Sequence, residues 1–212
     1  GYLQKVHGIC KDHDVPLIVD EVQGSLCRTG PIYASEAHGV EPEMIVLGKA
    51  LGGGLPLSAT IATPEYSELL PWEYGFTQAG NPVACAAGLA MLEVMVRDDL
   101  PANSERLGGV LMDRLGEIAE NSSLIGDVRG QGLMVGVELV TDKETKEPAN
   151  HEADLVMGAC LEHGLMVGKS GPVFGSNGNV IKFKPAVNCG EDDIEEIAEL
   201  FGRALAQVEA TL

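Results

Sequence analysis

The chain has 212 residues, 45% of them apolar, and sets 14 Lys and Arg against 32 Asp and Glu for a formal charge of −18. That length and apolar content suit one large or two small domains with a sizeable core, and the acidic excess, read as a solvated surface, excludes a nucleic-acid backbone or an anionic membrane as the natural partner. No apolar run, Leu55 to Ala62 included, approaches the roughly 20 residues that span a bilayer.

Leu3, Val6, His7 and Cys10 recur at helical spacing, and Asp14-Val15-Pro16 then breaks the pattern ahead of the apolar run Leu17-Ile18-Val19. A helix over 2–13 and a strand over 17–19 are predicted. Met44 to Leu47, closed by Gly48, and Ser58 to Ala62, after Gly52 to Gly54, read as two more short strands. Runs of this kind belong to a sheet covered on both faces. Pro82 to Arg97 is rich in Ala, Leu and Met with proline in its first turn, which predicts a helix apolar nearly all round and therefore buried. A second helix over about 103–120 carries Leu107, Val110, Leu111, Leu115 and Ile118 on one face.

The segment between these helices is the expected domain boundary, giving 1–100 and 101–212. Beyond it, Val128-Arg129-Gly130 leads to a strand over Leu133 to Val140, a helix over 151–163, short strands near 165–167 and 180–184, and a last helix. That helix gathers Glu191, Asp192 and Asp193 in its first turn, where they suit the dipole, and stacks Ile194, Ile197, Phe201, Ala204 and Val208 on one face. The second half is thus α+β.

Asp20 stands at the carboxyl end of the first strand, the edge where ligands collect in open α/β sheets. Lys49 follows the second apolar run among Gly48, Ala50 and Gly52 to Gly54. Alone, the Asp reads equally as a turn cap and the Lys as a surface residue. Together with the helix start at Gly80-Asn81-Pro82 they match what pyridoxal phosphate requires: an amine to bind the aldehyde, and an acid to keep the pyridine nitrogen protonated so that the ring accepts electrons.

Five segments in order, Ile18-Val19-Asp20-Glu21-Val22-Gln23, Arg28-Thr29-Gly30, Gly48 to Pro56, Thr77 with Gly80-Asn81-Pro82, and Arg129 to Leu133, resemble the class III pyridoxal phosphate aminotransferases. The resemblance implies fold type I, with part of the large α/β domain followed by a small α+β carboxy-terminal domain, usually in a homodimer. It also implies that Lys49 carries the cofactor, Asp20 pairs with the ring nitrogen, Val22 packs on the ring face, Gln23 reaches the 3-oxygen, and Thr77 binds the phosphate held by the neighbouring subunit. A hydroxyl just ahead of a helix start, with open backbone N–H groups close by, makes a good anion site.

The chain departs from the family at Gly24, Leu26 and Cys27, where Thr, Phe and Gly are usual, and at Ala79, where Gly is usual. Lys182 stands where many members carry an arginine that grips the substrate carboxylate. It offers a point charge without the two-donor fork, so selectivity for α-amino acids does not follow from the family. Leu165 to Lys169 with Lys184-Pro185 is closest to the alanine-glyoxylate branch. The implied reaction moves an amino group from an amine or amino acid to a 2-oxo acid such as pyruvate or glyoxylate. The same lysine and acid equally serve a lyase or an aminomutase, and a truncated, non-catalytic module is the reading from a different class. The chain opens on Gly1-Tyr2-Leu3, and the glycine- and serine-rich phosphate cup and ring-stacking aromatic of the family would precede it. A carboxy-terminal half, weak in cofactor binding by itself, is the expectation.

Gly164 to Ser170 imitates a phosphate-binding loop but has three residues between its glycines where four are needed. His7 and His13 lie about 120° apart on a helix, so with Cys10 they cannot converge on one ion, and no metal is expected. The acidic run from Glu191 to Glu196 reads as a solvated helix start. Five cysteines without CxxC spacing argue against a disulfide framework and for a reducing compartment, the cytoplasm.

Overall fold

The computed structural model of the chain describes residues 1–70, 72–73, 75–170 and 178–212. It divides into two compact units, Gly1–Ala102 and Asn103–Leu212.

In the first unit, helix α1 (Tyr2–Asp12) precedes strands β1 (Ile18–Asp20), β2 (Met44–Leu47) and β3 (Ala59–Ala62), and helix α2 (Pro82–Arg97) follows. The sheet order is β1-β2-β3, with β1 parallel and β3 antiparallel to β2. The chain leaves α1 through Asp14 at φ 55°. It enters β1 where the Glu43 carboxylate accepts the Leu17 N–H at 2.7 Å. That bond holds the Glu43 carboxyl below its usual range. Parallel pairing sets Asp20 opposite Val46, so β1 and β2 end side by side.

Helix α2 starts as its sequence dictates. Gly80 takes φ 64°, Asn81 Oδ1 accepts the N–H groups of Val83 and Ala84 at 3.0 and 3.2 Å, and Pro82 fills the first turn. Its burial differs from expectation. Only Ala84, Gly88 and Met95 are buried, while Val83, Leu89 and Val96 are exposed. The helix seats on the 3-10 turn Lys49–Gly52, where a Cβ on Gly88 would stand 2.9 Å from the Leu51 carbonyl oxygen. The three strands are likewise exposed or half-buried apart from Leu47.

The second unit begins within α3 (Leu100–Asn121) and contains strands β4 (Ile125–Gln131), β5 (Met134–Leu139), β6 (Gly168–Lys169) and β7 (Val180–Phe183) and helices α4 (Asn150–Glu162) and α5 (Glu191–Glu209). The sheet is antiparallel throughout, in the order β4-β5-β7-β6. Alternation along β5 buries Val135, Val137 and Leu139. They pack in one core with Leu107, Leu111 and Leu115 of α3, Val156 of α4 and Phe201 of α5. Phe183 meets Phe201 edge-on with ring centroids 5.0 Å apart. In α5 the expected face is buried at Ile194, Phe201, Ala204 and Val208, whereas Ile197 sits at its rim. The strand expected at 165–167 lies instead at Gly168–Lys169. Leu165 is spent closing α4, its N–H donating to Cys160 while Gly164 turns at φ 86°.

Candidate active site

Asp20 ends β1 exposed, its Oδ1 accepting the Val22 N–H at 3.0 Å. This short turn directs the chain across the end of β2, because the Glu21 N–H donates to the Val46 carbonyl at 2.9 Å. Val22 then lies against Gly48, where a Cβ would stand 3.4 Å from Val22 Cγ1. Gly48 immediately precedes Lys49. The register thus brings Asp20, Val22 and Lys49 to one sheet edge, and Gln23 stands exposed beside them.

Lys49 is exposed and opens the 3-10 turn with φ 49°, in the left-handed region that a side chain with a Cβ seldom occupies. It lines a cavity of about 710 Å³ together with Val46, Ser58, Phe76, Gln78 and Gly80. Such a volume is that of a small-molecule site. Thr77 is exposed and flanked by two of these lining residues. The rationale attached to Thr77 needs correction in one respect. The first N–H groups of α2 are not open to an anion, because Pro82 has none and Asn81 Oδ1 takes those of Val83 and Ala84.

Sequence reasoning gave Glu21 no role, yet it is the best-held side chain of this edge. It is 1% exposed. Its carboxylate accepts the backbone N–H groups of Ser35 at 2.8 Å and Ala34 at 3.0 Å, and its carbonyl accepts the Ser25 N–H and hydroxyl. A Cβ on Gly24 would stand 3.2 Å from Glu21 Oε2. The only hint in the sequence was an acid inside an otherwise apolar stretch beside Asp20. Nothing local identified its partners 13 and 14 residues away.

In the second unit, Lys182 is half-buried on β7, in register with Gly136 of β5 and Gly168 of β6. It lines a cavity of about 430 Å³ with Met166, Val167 and Lys184. Arg129, opposite Gly136 on the other side, is bound by Asp127 at 2.7 Å and Glu138 at 2.6 Å. The segment that imitates a phosphate loop is an edge strand, with Lys169 paired to Asp154.

The chain matches the family model for class III aminotransferases over residues 1–205. It is 43% identical to a leucine/methionine racemase of Thermococcus litoralis over 98% of this chain and 46% of that protein. It is 36% identical to alanine-glyoxylate aminotransferase 2 homolog 2, a mitochondrial protein of Arabidopsis thaliana, over 98% of this chain and 43% of that one. Among solved structures, a Bacillus anthracis aminotransferase superposes with a TM-score of 0.91 at 34% identity, covering 97% of this chain and 48% of the other. The chain therefore spans about half the length of the relatives it matches, and its fold is that of the fold type I transaminases.

Proposed function

The chain belongs to the class III aminotransferases, and from that premise we propose that it carries the lysine and acid of a pyridoxal phosphate enzyme that transfers an amino group from an amine or amino acid to a 2-oxo acid. The observation that carries this reading is the parallel register that pairs Asp20 with Val46, three residues before Lys49, together with Val22 against Gly48. The donor set suits the cofactor: an exposed amine on a cavity wall, an exposed carboxylate, an aliphatic side chain and a hydroxyl at Thr77.

When bound, pyridoxal phosphate supplies the sink for the electron pair released at the amino-bearing carbon. Lys49 would hold the cofactor through its Nζ, and the amine, once freed by substrate, would carry the proton lost by the substrate α-carbon. The Asp20 carboxylate would keep a proton on the ring nitrogen, Val22 would pack on the ring face, and Gln23 would hydrogen-bond the 3-oxygen. In a homodimer Thr77 would donate to the phosphate bound by the partner. Lys182 attracts the substrate carboxylate as a point charge, a weaker selector than an arginine fork.

A second reading, amino-acid racemisation, is favoured by the 43% identity to the leucine/methionine racemase. The same lysine would then return a proton to either face of one carbon, with no 2-oxo acid consumed. Borohydride reduction in the presence of pyridoxal phosphate, followed by peptide mapping, should label Lys49, and a label on Lys169 or Lys182 would overturn the assignment. Amino donors including alanine, leucine and methionine, assayed with pyruvate or glyoxylate, separate the two readings. Transfer consumes the oxo acid in step with the donor, whereas racemisation abolishes optical rotation without it.

A further inference from the structure

The segment from Glu21 to Ser35 is strained and closed on itself. Leu26 and Cys27 are consecutive, buried, non-glycine residues at φ 55° and 67°. Such a pair persists only where surrounding contacts over-determine it. The contacts within the segment are local: Leu26 N–H to the Ile32 carbonyl, Arg28 N–H to Ser25 and Gly30 N–H to Cys27, with the Thr29 hydroxyl donating to Gly24 at 2.8 Å. Glu21 is what joins its two ends. The backbone of Glu21 is fixed to β2 through Val46, and its carboxylate reaches the far end at Ala34 and Ser35.

We propose that Glu21 is a positioning residue, a buried latch that holds the strained 21–35 loop shut and thereby fixes Asp20, Val22 and Gln23 against the end of β2 beside Lys49. The inference rests on the cofactor reading for its functional consequence and on geometry alone for the latch. A carboxylate is required here because both of its oxygens face N–H donors. An amide of the same shape turns an N–H toward one of them, losing that bond and setting donor against donor. Aspartate keeps the charge but draws the oxygens back by one methylene.

Cys27 reports the latch directly. It is fully buried, and burial together with the Asp99 carboxylate pushes its thiol up to about 11. Cys160 in the second unit is equally buried, and its thiol is also pushed up to about 11, so it reports opening elsewhere. The test measures alkylation of both thiols and of Cys85 at pH 8 by mass spectrometry in the full chain, comparing wild type with Glu21→Gln and Glu21→Asp. The latch predicts at least a tenfold faster reaction of Cys27 in both variants with Cys160 unchanged. Equal acceleration of Cys27 with Cys160, or with half-buried Cys85 of the same unit, which marks unfolding of that unit, or no acceleration of Cys27 overturns it. Pyridoxal phosphate titrated by visible absorbance should bind the variants at least tenfold more weakly than wild type, and equal binding overturns the positioning role. Should wild type bind none while the thiol pattern is as stated, the latch stands and its bearing on a cofactor site falls.

Discussion

At the scale of single residues, Asp20 couples two tasks that a substitution can separate. Its carboxylate supplies charge at the sheet edge, and its Oδ1 accepts the Val22 N–H that starts the turn. Asp20→Asn keeps an acceptor for that N–H and removes the charge, so in the holoenzyme it should retain cofactor and lower kcat by about a hundredfold or more, the usual worth of a positioned acid or base. Turnover within a few-fold of wild type would show that a charged acid is not needed there. Asp20 and Lys49 were legible as candidates because each follows a short apolar run at a strand end, Lys49 next to Gly48, a pattern local in sequence. Glu21 was not, since its meaning lies in amides that only the closed loop brings to it. The departure at Cys27 could be seen in the sequence, but its cost could not. The left-handed φ of 67° is what makes glycine the easier residue at that position.

At the scale of elements, termini were easier to read than burial. The bounds of α2 follow from Gly80-Asn81-Pro82 and match the helix found, but a sequence apolar all round cannot say which side is covered. Strand β4 shows the opposite difficulty. Gly126 and Gly130 resemble turn residues, yet Gly130 is paired with Val135 of β5 and Gly126 sits where the register shifts between Ile125 and Asp127, and a Cβ on them would stand 2.6 Å from Val140 Cγ1 (Gly126) and 2.5 Å from the Met134 carbonyl oxygen (Gly130). The β4–β5 turn is clamped the same way, Gly132 turning at φ 51° where a Cβ on Gly108 of α3 would stand 2.3 Å from its carbonyl oxygen. The other end of the unit is tied by one acid. Glu209 Oε1 accepts the Ser122 hydroxyl and the Ser123 N–H, both at 2.7 Å, joining the end of α5 to the loop after α3. Desolvation raises the Glu209 carboxyl, but these bonds outweigh it and leave the group below its ordinary range. A carboxyl depressed on folding contributes stability that is present above its unfolded value of about 4.3 and lost as pH falls through the lower folded value. Glu209→Gln should therefore cost about 1–2 kcal/mol at pH 7, and the gap to wild type should narrow as pH falls below about 4. Urea unfolding at pH 7 and pH 3.5 measures both, and a gap independent of pH would refute the tie.

At the scale of the whole molecule, apolar burial is unevenly divided. The continuous core that joins Leu107, Leu111, Val137, Ile181 and Phe201 lies entirely in Asn103–Leu212. In Gly1–Ala102 the buried apolar residues are scattered, and Trp72, Phe76, Ile18, Ile61, Leu89 and Val96 stand exposed. Cooperative unfolding needs one contiguous core whose loss is shared by every element around it. The second unit meets that condition with three helices on one face of a four-stranded sheet, so it should unfold as a single two-state domain. The first unit holds the sheet edge that carries Asp20 and Lys49 by a short parallel pairing and the Glu21 contacts, and it should open at lower free energy. Limited proteolysis of the chain should then cut first within residues 63–80, whose described residues are mostly exposed, and leave a resistant fragment that retains 103–212. That fragment, expressed alone, should give coincident urea transitions by circular dichroism and tyrosine- and tryptophan-independent probes such as Cys160 protection. A cut inside 124–208 before any in 63–80, or a gradual non-cooperative transition of the 103–212 fragment, would show that this core does not stand by itself.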